Sequence, residues 1–329
     1  MPRRAKKKPL FEKLALIGVG LIGSSIARAA REKGVVEKIA GCARSEANRA
    51  RCLELGIADS MHGDPSAAVV GADLVIICHH LGDYEATAQR IAPVLRPGAI
   101  VSDVGSVKGI MFRDVAPHLP DNVHMVPGHP VSGTEKSGPD AGFAELFEDR
   151  WCILTPGDAD PMAVEKVTAF WQALGSRIEI MEAEHHDLVL GVTSHLPHLI
   201  AYNIVGTAAD LETVTKGEVI KYSAGGFRDF TRIAASDPVF WRDVFLNNRE
   251  AVLEMLGRFT EDLIALQRSI RWGEGDRLLD LFTRTREIRQ RIIDAGQETA
   301  APDFGRRPKS ADEAARQEPG RGRRIRSGA

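Results

Sequence analysis

Leu14-Ala15-Leu16-Ile17-Gly18-Val19-Gly20-Leu21-Ile22-Gly23 is a short apolar run that passes directly into a G-x-G-x-x-G pattern, and the residues from Leu21 to Lys33 read as a helix. Strand, glycines and helix in that order form the fingerprint of a dinucleotide-binding turn. Gly18 permits the tight turn, Gly20 lets the backbone approach a pyrophosphate, and Gly23 lets the helix pack on the strand. The helix N-terminus, opened by Leu21 and Ile22, then faces the phosphate charge.

Working outward, β-rich apolar runs at Lys38–Cys42, Leu74–Cys78, Ala99–Asp103 and Val123–Pro127 alternate with helix-like segments at Glu46–Leu55, Tyr84–Leu95 and Lys108–Leu119. That alternation predicts a mainly parallel α/β sheet covered on both faces, a Rossmann domain. Further runs at Trp151–Thr155 and Arg177–Met181 are expected to extend the same sheet. After about Ala183 the strand signals stop, and apolar residues recur at three- and four-residue spacing. The long segment Pro238–Ile270, with Phe240, Val244, Phe245, Val252, Leu256, Leu263 and Leu266, has an apolar face that predicts a homodimer joined there. The expected organisation is a dinucleotide-binding domain over 11–183, an all-α substrate and dimerisation domain over 184–296, and a disordered basic tail over 297–329.

The chain has 329 residues, 43% hydrophobic and 27% charged, which suits two globular domains. No purely apolar run reaches the ~20 residues of a bilayer span, and Met1–Leu10 lacks the apolar stretch of a signal peptide, so a cytoplasmic protein without a membrane partner is expected. Residues 1–10 carry five basic side chains and no acid, and residues 305–329 a basic surplus of five, so the net charge of −2 hides a body near −12. An acidic body argues against nucleic acid as a partner, and the basic ends read as solvated tails. Cys42, Cys52, Cys78 and Cys152 form no C-x-x-C pair and read as reduced thiols in or near the core.

The second strand ends Gly41-Cys42-Ala43-Arg44-Ser45, without the carboxylate that would bind both ribose hydroxyls of NAD. Arg44 and Ser45 can meet the 2′-phosphate of NADP, or Ser45 can cap the helix that starts at Glu46. Asp103-Val104-Gly105-Ser106-Val107-Lys108-Gly109 and Gly128-His129-Pro130-Val131-Ser132-Gly133-Thr134-Glu135 are expected at the carboxyl ends of strands, where open α/β sheets bind ligands. A histidine there, His129, has the right chemistry for a general base near neutral pH. In the helical half His195 and His198 share one helical face, with no third ligand at a metalloenzyme spacing, so no metal is expected. Arg232, after a glycine pair, is of the type that presents a planar fork to a carboxylate; its alternative is a surface ion pair.

Through these segments, from Gly18–Gly23 and Asp103–Gly109 to Gly128–Gly138, Ser194–His198 and Gly225–Asp243, the chain resembles the prephenate and arogenate dehydrogenase family from about Lys13 to Ile293. The resemblance implies a Rossmann domain followed by a helical dimerisation domain, and NAD(P)-dependent oxidative decarboxylation of a cyclohexadienyl acid. It implies that His129 accepts the proton of the ring hydroxyl, that Ser106 shares that hydroxyl while lying by the cofactor, and that Arg232 holds the ring carboxylate. His195, His198 and Trp241 would line the pocket, and Glu135 with Arg228 or Asp229 would form a polar gate. Two departures stand out: Cys78-His79-His80-Leu81 replaces an apolar-Pro-apolar turn, and Ser132 stands where alanine is commoner. The resemblance leaves no segment for a fused chorismate mutase or ACT domain. A β-hydroxyacid dehydrogenase and a non-catalytic nucleotide sensor are the rival readings; the first would bring a lysine and an asparagine where this chain has His195 and His198.

Overall fold

A computed structural model describes residues 8–134, 136–210 and 221–294 of the chain. The described residues divide into two compact units, the first ending at Arg268 and the second beginning at Ser269.

In the first unit, β1 (Phe11–Ile17), β2 (Val36–Cys42), β3 (Ser60–His62), β4 (Leu74–Ile77), β5 (Ile100–Asp103) and β6 (His124–Met125) form one sheet in the order β3-β2-β1-β4-β5-β6. Every pair in it is parallel. Strand order reverses between β1 and β4, which opens a crevice beyond their carboxyl ends, where Gly18 and Cys78 emerge. The period-two alternation of β1 sorts its side chains between two cores. Leu14 and Leu16 join Leu74, Ile76 and Ile100 under α1 (Leu21–Lys33) and beside Phe147, Phe170 and Trp171. Ala15 and Ile17 join Val75, Ile77 and Val101 against Tyr84, Ala88 and Ile91 of α4 (Tyr84–Ile91), and against Trp241 and Val244.

Between these lie α2 (Glu46–Glu54) and α3 (Pro65–Val69), capped at Ser45 and Asp64. The expected helix Lys108–Leu119 is wound instead as a π turn, Met111–Val115, and a 3-10 turn, Ala116–His118. Pro117, which lacks an N–H, accounts for the break.

The runs at Trp151–Thr155 and Arg177–Met181 do not extend the main sheet. With β7 (Gly128–Pro130), strands β8 (Trp151–Leu154) and β9 (Arg177–Ile180) form a separate sheet, β7-β8 antiparallel and β8-β9 parallel. The main ladder continues to Val126, whose N–H reaches Val101 O, after which Pro127 offers no donor and the chain turns to pair with β8. Helix α5 (Pro161–Ala173) supplies Phe170 and Trp171 to the first core. The four cysteines are free thiols, three of them buried.

Beyond β9 the described residues are helical: α6 (Ala183–Asp210, with a π turn at Gly191–His195), α7 (Gly225–Thr231), α8 (Pro238–Asn247) and α9 (Arg249–Trp272). The sequence shows no purely apolar run of bilayer length, yet α6 is long and apolar enough to cross a membrane by length and composition. It carries the polar residues Thr193, Ser194, His195 and His198 in its middle. Leu253, Leu263 and Ile264 of α9 are exposed. In the second unit α10 (Gly275–Asp294) exposes Leu279, Phe282, Ile288 and Ile292 and buries no residue. The tail expected over 297–329 lies outside the described residues.

Candidate active site

The glycine turn has the geometry a dinucleotide requires. Gly18 has φ +97°, and a Cβ there would lie 2.9 Å from the Cys78 carbonyl carbon; one at Gly23 would collide with the Gly18 carbonyl oxygen. A Cβ on Gly20 would meet nothing within 4 Å, so the space over the N-terminus of α1 is open. Gly20 is also the N-cap of α1 and donates no side-chain bond, which leaves the first-turn N–H groups of Leu21, Ile22 and Gly23 for an anion. These features fit the pyrophosphate of NAD(P).

At the end of β2, Ser45 makes the cap: its Oγ accepts from Asn48 N at 3.4 Å. Arg44 is exposed, with Nη1 3.6 Å from an Asp83 carboxylate oxygen. His79 lodges in the turn after β4, where Nε2 meets Thr87 Oγ1 at 2.8 Å and Nδ1 meets the His80 carbonyl at 2.9 Å. A polar side chain thereby occupies the place of the apolar-Pro-apolar turn.

The Ser106 loop is held at both ends by buried carboxylates. Asp103, fully buried at the end of β5, accepts from Gly105 N at 2.8 Å, Gly128 N at 3.1 Å, Tyr84 OH at 3.1 Å and the Lys108 ammonium. Lys108, also fully buried, donates to Gly128 O at 2.7 Å as well. Burial pulls the Lys108 pKa down while Asp103 opposes it. On the far side of Ser106, Asp187 of α6 accepts from Lys108 N at 2.7 Å and Gly109 N at 2.8 Å.

His129 is expected just beyond a strand of the main sheet. It lies instead within β7, opposite Ile153 of β8. Only 7% exposed, it brings Nδ1 to 2.8 Å from Nε2 of His186, whose Nδ1 lies 2.8 Å from Asp187 Oδ1. Burial lowers the His129 pKa well below that of free imidazole, and His186, Lys108 and His195 push it the same way.

His195, in the π turn, is fully buried, with Nδ1 3.0 Å from Asn248 Nδ2, which also donates to Asp187 O at 2.7 Å. His198 stacks on Trp241 of α8 at 3.5 Å between ring centroids. Both histidines have pKa values lowered to about 4, burial being the first cause; the Arg232 charge adds to it at His198. Arg232 caps the end of α7. His129 and His195 are thus linked through His186, Asp187 and Asn248, and Trp241 packs against both His195 and His198. Arg228 is exposed and pairs with its neighbour Asp229 at 3.3 Å. Glu135, the third member of the expected gate, lies outside the described residues.

Sequence reasoning missed Asp103, Lys108, His186, Asp187 and Asn248. Lys108 stands in a quoted motif, and a lysine near an acidic strand end is a weak signal. The adjacent His186-Asp187 pair just after the last strand is a stronger one. Among the described residues no group of three or more His, Cys, Asp or Glu is arranged to hold a metal ion.

Residues 26–180 match the family model for the prephenate dehydrogenase nucleotide-binding domain, and residues 182–284 that for the prephenate dehydrogenase dimerization domain. A cyclohexadienyl dehydrogenase from Zymomonas mobilis is 42% identical over 281 residues, covering 85% of this chain and 96% of that protein. A prephenate dehydrogenase from Bacillus subtilis is 31% identical over 293 residues, 88% of this chain and 78% of that one. Among solved structures, prephenate dehydrogenase from Aquifex aeolicus, in complex with hydroxyphenyl propionate and NAD+, superposes with a TM-score of 0.80 at 33% identity, covering 85% of this chain and 98% of that one.

Proposed function

Because the chain belongs to the prephenate dehydrogenase family, we propose that it oxidatively decarboxylates prephenate or arogenate in tyrosine biosynthesis, giving 4-hydroxyphenylpyruvate or tyrosine with reduction of NAD(P)+. The observation that carries the reading is His129: a buried imidazole whose Nδ1 is taken by His186, which leaves Nε2 for a substrate. Arg232 makes two parallel hydrogen bonds to the ring carboxylate. Ser106 hydrogen-bonds the ring 4-hydroxyl, and His129 Nε2 takes its proton as the C4–H bond breaks. Bound nicotinamide supplies the hydride acceptor. The bond from the ring to its carboxylate then breaks with release of carbon dioxide, its electron pair aromatises the ring, and His129 returns the proton to the phenolate oxygen. His195, His198 and Trp241 surround the pyruvyl or alanyl side chain.

Arg44, in place of a carboxylate after β2, supports use of NADP as well as NAD. The exposed apolar residues of α9 and α10 support a homodimer through the helical half, and the setting is cytoplasmic. The test is a steady-state comparison of prephenate and arogenate, each with NAD+ and NADP+. Turnover of at least one acid is expected; turnover of a 3-hydroxy acid and of neither cyclohexadienyl acid would overturn the proposal.

A further inference from the structure

The hydrogen bonds behind His129 are ordered by the chemistry of their ends. Asp187 is a carboxylate with acceptor capacity only, and it already takes two backbone N–H groups. The His186 Nδ1 that faces it at 2.8 Å must therefore carry a hydrogen. In neutral imidazole that leaves His186 Nε2 as a lone pair, and the only hydrogen that fits the 2.8 Å contact with His129 is one on His129 Nδ1. His129 is then left with its lone pair on Nε2.

We propose that His186 and Asp187 are positioning residues for the reaction, a relay in which Asp187 sets the tautomer of His186 and His186 sets that of His129, so that Nε2 is the atom that accepts a proton. Neither side chain touches the substrate; both act through His129. The relay requires His186 to be neutral, and burial, the first cause, does lower its pKa although Asp187 opposes. The charged and titratable groups around the pair are Asp103 at the end of β5, Lys108 from the loop after it, Cys152 from β8, and His195 from α6. Asn248, at the start of α9, completes the surround by donating to the Asp187 carbonyl. Lys108 is itself committed to Asp103 and Gly128 O and does not compete for His186.

The inference rests on the proposed role of His129, and the experiment separates the two. In Asp187→Asn the amide NH2 has to face either Gly109 N–H or the edge shared by Lys108 N–H and His186. The second arrangement demands a lone pair on His186 Nδ1, reverses both tautomers and leaves His129 presenting N–H to the substrate. Where the amide takes the second arrangement, kcat falls about 100-fold at every pH, with KM within about threefold and NAD(P)+ affinity unchanged; where it takes the first, both tautomers and kcat stay near native. His186→Gln sets an amide oxygen near the place of Nε2, where it accepts from His129 Nδ1–H, and is expected to keep at least about a tenth of kcat. His186→Leu is expected to lose about 100-fold. Nitrogen-15 NMR of the imidazoles reads the tautomer directly: Nδ1–H on His129 in the native protein, and in Asp187→Asn a tautomer that tracks the change in kcat. Should Asp187→Asn fail to fold, judged by circular dichroism and cofactor binding, the two His186 variants carry the test. An Nε2–H tautomer of His129 in the native protein, or equal losses in the Gln and Leu variants, overturns the relay. A His129→Ala variant with normal turnover overturns the role of His129 while leaving the NMR result standing.

Discussion

Acid should destabilise this protein well above the pH at which carboxylates titrate. His79, His129, His186, His195 and His198 all have pKa values below that of free imidazole, burial being the first cause in each. Each is neutral when folded and takes up a proton more readily when unfolded, near the ordinary value of about 6.5. The unfolded state therefore binds more protons, and stability falls as pH drops below about 6.5 until the folded group itself titrates. For His195 and His198, held down to about 4, moving from about pH 7 to about pH 5 costs about 2 kcal/mol each. The two together remove about 4 kcal/mol, a large share of the roughly 5–15 kcal/mol by which domains are stable. Asp59, Asp64 and Asp140 titrate below the usual carboxylate value and keep their charge across this window.

The perturbation that isolates the effect is the double variant His195→Asn and His198→Asn. Asparagine at 195 sets its amide near the place of Nδ1, beside Asn248, and at 198 it can still donate to the Ser194 carbonyl that His198 Nδ1 meets at 2.8 Å. Urea unfolding followed by tryptophan fluorescence, at one fixed protein concentration, gives the free energy at about pH 7 and about pH 5. The native protein should lose more between them than the double variant, by about 4 kcal/mol. The difference between pH values is the readout, so a uniform loss from imperfect packing does not disturb it. An equal pH loss in both proteins would show that these imidazoles are as free to protonate in the folded chain as in the unfolded one.

His129→Ala should lower kcat by about 100- to 10,000-fold with little change in substrate KM, because a proton acceptor acts mainly in the transition state; near-normal turnover would remove His129 from the mechanism. Arg232→Gln should act on binding, since the ring carboxylate is charged before reaction: losing a charge-assisted pair of about 1.5–3 kcal/mol raises KM about 10- to 100-fold, and an unchanged KM would move the carboxylate site elsewhere. Arg44→Asp should shift the ratio of NADP+ to NAD+ efficiency at least about fivefold toward NAD+, a modest figure because Arg44 is 85% exposed and screened by solvent; an unaltered ratio would show that Arg44 does not face the ribose.

The nucleotide-binding half was legible because its signals are local. The alternation of Leu14 and Leu16 with Ala15 and Ile17 is the same alternation that divides the two cores, and Gly18 and Gly23 are fixed by contacts within one turn. Helix α1 spans the expected residues from Leu21 to Lys33. Strand β3 and helix α3, three and five residues long, were too short to carry a period. The second sheet was misread because its strands have the composition of the main one, and what separates them is a single missing donor at Pro127. The site was legible where motifs carry it and silent where distance does. His129 meets His186 across 57 positions, and Lys108 meets Asp187 across 79, so no periodicity or spacing reports either contact.

The buried charges make sense as positioning devices. A buried ion pair such as Asp103 with Lys108 is a poor source of stability, since desolvation offsets most of the attraction. A loop such as Val104–Val107 is also, by itself, a poor place to hold a side chain to the roughly 0.5 Å that a reacting constellation demands. The two difficulties answer each other. Asp103 fixes Gly105 N on one side of Ser106 and Gly128 N beside His129, and Asp187 fixes Lys108 N and Gly109 N on the other side. Ser106 lies in the loop that follows a strand of one sheet and His129 on a strand of the other, yet they share Asp103 as one anchor, and Asp187 ties the Ser106 loop to the helix that carries His186 and His195. Displacing either carboxylate is expected to move the Ser106 loop together with His129 or with the helix that carries His186 and His195, so substitutions at Asp103 or Asp187 should disturb the proposed chemistry from outside the substrate pocket.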